Sequence, residues 1–406
     1  MRCSSIPSVL LFASSVAAQA ENIYTATATS DVAQAAATAK TLSPVSHVKG
    51  KAFDRIAIIW LENTDYDMAI GDPNLAWLAE RGIVLSGYHS VTHPSQPNYI
   101  ASIAGDYFGM QHDDFNQADK NVSTVIDLLE DKGISWGEYQ EDMPYSGFEG
   151  FEYVNQQNGK NDYVRKHNPA INYNSVASKI DRLAVIKNLT MFYKDLENET
   201  LPQWMFITPN MTSDGHDSDI TTAGAWTRNF VEPLLNDKRF MQNTLVLITF
   251  DENETYTIQN RVLGILIGDA VPQHLVGTTD DSYYTHYSEI ATVEANWDLH
   301  TLGRFDVGAN VFKLVADKTG DKLRQWSGKV ELPSMYFNSS YAGPFNEDGG
   351  NHRYPGPNLS KVGPSGRTVL PSIEKAWRGN PAPVYYTPDL ETPDGQHPPT
   401  GYEPVV

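Results

Sequence analysis

The chain has 406 residues and carries 30 Lys+Arg against 50 Asp+Glu, a formal charge of −20 at pH 7. A surface that negative repels phosphate backbones and anionic lipid heads, which argues against nucleic-acid binding and electrostatic membrane docking. Eight Trp, 21 Tyr and 15 Phe are too many large side chains for a disordered acidic chain, and a single cysteine, Cys3, excludes a disulfide framework.

Met1-Arg2 form a positive start, residues 7–18 a short apolar run, and Ala18-Gln19-Ala20 a small-x-small cleavage pattern, so residues 1–20 read as a signal peptide. The run is too short to span a bilayer, and no later stretch is an unbroken apolar span. The expected product is secreted and extracellular, free or associated with a cell wall. N-x-Ser/Thr sequons at Asn121, Asn188, Asn198, Asn210, Asn338 and Asn358 are expected glycan acceptors. A seventh, Asn253, is expected to stay bare, or else to carry a glycan that points away from the cleft described next, because a sugar projecting into it would block entry.

Residues 21–50 are rich in Ala, Thr and Ser without a sustained period and read as an arm or linker. Residues 51–330 alternate apolar runs with amphipathic segments, the pattern of an α/β domain. The clearest runs are residues 56–61 (IAIIWL), 204–209 (WMFITP), 244–250 (TLVLITF) and 262–268 (VLGILIG). Their Ile, Val and Leu content suits parallel strands covered on both faces. Residues 122–132 and 223–235 are the clearest helix candidates. Residues 331–406 form a Pro/Gly-rich extension expected to pack on the domain. From Arg378 on it holds seven prolines in 29 residues and is expected to wander over the surface.

Three of the apolar runs end in polar or acidic tips: Glu62-Asn63, the 212–219 loop TSDGHDSD, and Asp251-Glu252-Asn253. Open α/β sheets bind ligands outside the carboxyl ends of their strands. A carboxylate cluster is costly unless a cation neutralises it, and Glu62, Asn63, Asp251 and Glu252 offer only oxygen. That donor set favours one hard divalent ion, Mg²⁺, Ca²⁺ or Mn²⁺, over Zn²⁺. Ser95, in the stiff turn HPSQPNY (93–99), lies ahead of a helix expected to begin at ASIAG (101–105). Free backbone N–H groups and a positive dipole end there suit a nucleophile that attacks phosphorus. His286 stands just before a further helical run.

Taken together, ENTDYD (62–67), HPSQPNY (93–99), GHDSD (215–219), FDENE (250–254) and THYSEIATVEANW (285–297) resemble one family. It is the phosphoesterase family that groups secreted acid phosphatases, fungal ones especially, with bacterial phospholipases C, within the alkaline-phosphatase-like superfamily. The resemblance runs over residues 54–312. It implies a three-layer α/β sandwich with a mostly parallel central sheet and helices on both faces. It also implies an acid phosphatase that hydrolyses small phosphate monoesters through a phosphoserine. Ser95 matches the nucleophile, His216 and His286 the catalytic histidines, and Asn63, His93, Asn98 and His216 the phosphate contacts. Glu62, Asn63, Asp217, Asp251 and Glu252 match the metal set. The wider superfamily's two-zinc enzymes have Asp-His where this chain has Asp251-Glu252, which puts a two-zinc site in doubt. The alternatives are a phospholipase C or other phosphodiesterase, and an inactive glycosylated binding protein.

Overall fold

The computed structural model describes residues 25–324, 340–341, 343–346, 353–380, 386 and 404–405. The signal-peptide reading lies outside the described residues. Eight strands form one sheet: β1 (Arg55–Leu61), β2 (Ile83–Leu85), β3 (Trp136–Gln140), β4 (Ile186–Asn188), β5 (Trp204–Thr208), β6 (Thr244–Phe250), β7 (Gly264–Ile267) and β8 (Thr278–Asp280). Their order is β8-β2-β7-β6-β1-β5-β3-β4. The expected mostly parallel sheet is present, with one exception. The run read at 262–268 yields β7, which pairs antiparallel with both β6 and β2.

The apolar runs become central strands because both of their faces are covered. Ile56–Leu61 of β1 and all of β6 are buried. Each Ile or Leu removed from water there contributes about 1.5–3 kcal/mol. One face carries α2 (Ser95–Ala104) and α6 (Tyr287–Trp297): Trp60 packs on Tyr99 at 4.8 Å and donates to Glu289 Oε1 at 3.0 Å. The other face carries α4 (Thr190–Glu197) and α5 (Ile220–Leu234), with Tyr139 of β3 edge-on to Phe192 and Phe192 against Phe230. Here α1 (Pro73–Ala79) approaches α5 so closely that a Cβ on Gly224 would collide with the Asp72 carboxylate. Glycine alone fits that contact.

The candidate helices are confirmed with shifted ends. α3 runs over Val125–Asp131 and starts at a Thr124–Asp127 capping box, and α5 starts at Ile220 with Asp219 accepting from Thr222 N–H. α2 begins at Ser95, six residues before the expected start, so ASIAG closes it, and Gly105 (φ 74°) supplies the left-handed cap.

The segment read as an arm or linker carries a helix over Thr29–Ala36, and Ser43, Ser46 and Val48 hydrogen-bond to Asp195, Ser135 and Gln203 of the body. The proline-rich tail, expected to wander, sends Tyr386 into the core, where its hydroxyl donates to buried Asp106 beside that of Tyr341. Among the described residues, no helix is long and apolar enough to cross a membrane.

Candidate active site

Because β1, β5 and β6 run parallel, their carboxyl ends share one edge, and a cleft of about 540 Å³ opens there. The tips of β1 and β6 are laced together: Asp251 N–H donates to Leu61 O, Asn63 N–H to Asp251 Oδ1 and Thr64 N–H to Glu252 O. Asn63 reaches its position at φ 34°, a left-handed conformation that Asn tolerates better than most residues. Asp251 Oδ1 also accepts from Glu252 N–H at 2.7 Å, while its Oδ2 is buried with no hydrogen-bond partner.

Ser95 sits on the first turn of α2 with its hydroxyl donating to Glu62 Oε2 at 3.1 Å, and the Asp251 carboxylate lies against both groups. Glu62 Oε1 accepts from Tyr99 at 2.7 Å, and Asn63 Nδ2 donates to Oε2 at 3.3 Å. The fold thus brings Glu62, Asn63, Ser95 and Asp251 together. Burial, with the charges of Asp251 and Asp214 beside it, pushes Glu62 well above the usual carboxylate range. Asp251 and Glu252 are raised too, by burial first. Such a cluster holds its negative charge only when protons or a cation compensate it.

His216 lines the cleft. Its Nδ1 is 2.8 Å from Asp217 Oδ1 and its Nε2 is 3.3 Å from Lys166 Nζ. The Asp217 carboxylate therefore orients the imidazole and stands apart from the Glu62–Asp251 cluster, which corrects its expected place as a metal ligand. Glu252 is at the site's edge, with Oε2 2.7 Å from His93 Nδ1. His93 is held there, packed on the tilted Tyr256 ring at 3.8 Å and pushed down to about 3 by burial, so it backs Glu252 instead of facing phosphate.

Two further expectations are corrected. Asn98 is saturated inside its own loop: it accepts from Val91 and Thr92 N–H and donates to Thr92 and Pro94 carbonyls. It braces the turn and has no valence left for phosphate. His286 is fully buried, with Nε2 2.7 Å from the Asp251 carbonyl oxygen and Nδ1 3.2 Å from the Tyr88 hydroxyl. Burial pushes it down to about 3, so it is neither in the cleft nor cationic in mild acid. Its work is to pin the tip of β6.

The helix dipole reading also changes. Gln96 N–H, on the first turn of α2, already donates to Asp113 Oδ1 at 2.9 Å, and Pro97 has no N–H. Sequence reasoning missed three residues that complete the site. His167 Nε2 is 3.1 Å from Glu62 Oε1, and its Nδ1 is 3.4 Å from Asp214 Oδ2, a fully buried carboxylate. Burial drives His167 well below its ordinary value, with Lys166 and His216 adding to the effect, so its contact with Glu62 is not an ion pair. Lys166 Nζ is 3.0 Å from Asp113 Oδ2; burial opposes its charge, but Glu62, Asp113 and Asp251 outweigh that and raise it. Lys166 and His167 sit on a one-turn 3₁₀ segment (Arg165–His167) between β3 and β4, where no motif marks them. Asp214 was visible only as one more acid in the 212–219 loop.

Glu62, His167 and His216 offer ligand atoms within 4.8 Å of one another, a group that could hold a metal ion. The sequence-based expectation of oxygen ligands alone left out its two imidazoles. Asn253 is buried and its amide donates to Asp65 and Thr255, as expected of an unused sequon. Asn358 is equally buried, with its amide donating to Tyr386 O, so its expected glycosylation is corrected. Asn121 and Asn198 are exposed, Asn188 and Asn210 are partly buried, and Asn338 lies outside the described residues.

Comparison with known proteins gives a consistent set. The family described as Phosphoesterase family matches residues 72–300. The chain is 50% identical over 349 residues to a probable acid phosphatase of Kluyveromyces lactis, covering 86% of this chain and 81% of that one. It is 50% identical over 349 residues to the phosphate-repressible acid phosphatase of Penicillium chrysogenum, covering 86% and 83%. It is 52% identical over 328 residues to an acid phosphatase of Aspergillus fumigatus, covering 79% and 72%.

Proposed function

This chain belongs to the phosphoesterase family, and from that premise we propose that it is a secreted acid phosphatase acting on small phosphate monoesters through a phosphoserine at Ser95. The reading takes residues 51–330 as the catalytic domain, behind a signal peptide at 1–20 and with the 331–406 extension packed on it. Its role would be phosphate scavenging outside the cell. The relatives at about half identity are named acid phosphatases. The observation that carries the mechanism is the Ser95 hydroxyl at the cleft floor, hydrogen-bonded to Glu62 and flanked by Asp251.

A hard divalent ion fits this site. Asp251 Oδ2 is a buried carboxylate oxygen without a hydrogen-bond partner, Glu62 and Asn63 add oxygen donors beside it, and the imidazoles of His167 and His216 stand next to Glu62. Glu62, Asn63 and Asp251 would hold the ion, with Glu252 adding negative charge. When bound, it supplies charge neutralisation and lowers the cost of exposing an alkoxide at Ser95.

The chain's own groups account for the proton movements. Ser95 Oγ gives its proton toward Glu62 Oε2 as the Oγ–P bond forms, and the bond from phosphorus to the leaving oxygen breaks in line. His216 Nε2, held by Asp217 at Nδ1, gives a proton to the leaving oxygen. The same nitrogen then takes a proton from the water that attacks the phosphoserine, and as the Oγ–P bond breaks and phosphate leaves, Glu62 Oε2 returns its proton to Ser95 Oγ. Ser95→Ala should abolish turnover of p-nitrophenyl phosphate and the phosphoenzyme trapped by acid quench. A variant that keeps more than about a tenth of the wild-type rate removes Ser95 as nucleophile.

A further inference from the structure

Asp113, Asp219, Glu252 and Glu254 all line the cleft, and Lys166 is its only lysine or arginine among the described residues. A dianionic monoester entering this negative cleft needs donors for its oxygens. The first turn of α2 supplies few, since Gln96 N–H is occupied and Pro97 has none. The group that occupies Gln96 also fixes the lysine: Asp113 Oδ1 takes the amide, and its Oδ2 holds Lys166 Nζ at 3.0 Å. The ammonium is thereby anchored beside the Ser95 end of the helix. Its second contact, His216 Nε2 at 3.3 Å, is the atom required for the leaving oxygen.

We infer that Lys166 recognises the second negative charge of a phosphate monoester and is the residue that sets this cleft's preference for monoesters over diesters. The inference rests on the phosphomonoesterase reading above. On substrate entry the ammonium keeps Asp113 and exchanges the His216 contact for a non-bridging phosphoryl oxygen, which leaves Nε2 facing the leaving group. A diester carries one charge fewer and gains less from the same ammonium. Asp113 is the positioning residue.

The test compares wild type, Lys166→Met and Lys166→Arg at pH 7, above the second ionisation of a phosphate monoester near about pH 6. For each protein, kcat/KM is measured on p-nitrophenyl phosphate and on bis(p-nitrophenyl) phosphate, with inhibition by inorganic phosphate alongside. Because the monoester-to-diester ratio is taken on one sample, partial misfolding cancels. The ratio should fall about 10- to 100-fold in Lys166→Met, the range for a hydrogen bond to a charged group, and be mostly restored in Lys166→Arg. Phosphate inhibition should weaken in parallel. An unchanged ratio, or unchanged phosphate inhibition, overturns the inference. A wild type inactive on p-nitrophenyl phosphate would instead defeat the functional reading. Calorimetric binding of inorganic phosphate to wild type and Lys166→Met would then still decide the role of Lys166: equal affinities overturn it, and a 10-fold or greater loss supports it.

Discussion

Glu289→Gln should leave the protein nearly unchanged at pH 5 and make it more stable than wild type at pH 8. Glu289 is fully buried on α6, with Oε1 3.0 Å from Trp60 Nε1 and 2.8 Å from the Tyr88 hydroxyl. The Tyr88 hydroxyl is in turn 3.2 Å from His286 Nδ1, and His286 Nε2 meets the Asp251 carbonyl. A carbonyl only accepts, so Nε2 carries the imidazole proton. The Tyr88 hydroxyl donates to Glu289 Oε1, the shorter of its two contacts, and Trp60 donates to the same oxygen. Burial pushes Glu289 up to about 8, against the hydrogen bonds from Tyr88 and Trp60. With His286 pushed down to about 3, the two groups 3.9 Å apart are both neutral. A carboxyl raised in the fold contributes stability that is fully present below its unfolded value, near about 4.5, and is lost as pH climbs through about 8. Between pH 5 and pH 8 that loss is about 3 kcal/mol, or ~4 °C in Tm at the usual unfolding entropy per residue for a chain this long. Gln offers the same acceptor oxygen to Tyr88 and Trp60 and cannot ionise, so thermal scans of the variant should lack this component while activity at pH 5 stays within about twofold. A variant whose Tm falls between pH 5 and pH 8 as steeply as wild type would falsify the neutral, buried Glu289 and the chain of hydrogen bonds built on it.

Glu62→Gln and Asp251→Asn should each weaken divalent-metal retention at least about tenfold and remove most activity, read by metal analysis and turnover after dialysis; fully active wild type that contains no divalent metal and ignores chelators would refute the oxygen site. His216→Asn should cost about 10²- to 10⁴-fold on an alkyl phosphate but much less on p-nitrophenyl phosphate, whose leaving group needs little protonation; equal losses on both would remove His216 as the general acid. Glycopeptide mapping should find Asn121 and Asn198 occupied and Asn253 and Asn358 bare, and a glycan on either buried amide would mean that its strand tip or tail is placed differently.

The cleft floor was legible in the sequence because its signals are contiguous. Apolar runs at 56–61 and 244–250 fixed where the chain crosses the core, and the acids that follow each run had to emerge at a strand end. Glu62, Asn63 and Asp251 therefore converge as read, and Ser95 joins them from the next turn. Packing alone decided what each remaining polar side chain does. His286 and His216 look alike in sequence, yet one is sealed beneath Trp60 and Tyr88 and the other opens on the cleft. Asn98 and Asp217 spend their hydrogen bonds on neighbours that only the folded loops bring near. Lys166 and His167 lie in a segment without a motif and Asp214 is one acid among several in the 212–219 loop, and they enter the site because the parallel sheet folds the β3–β4 and β5–α5 connections over the same edge. A residue's type sets the chemistry it can perform; burial and the partners supplied by distant strands set whether its charge, proton or lone pair is available to a substrate.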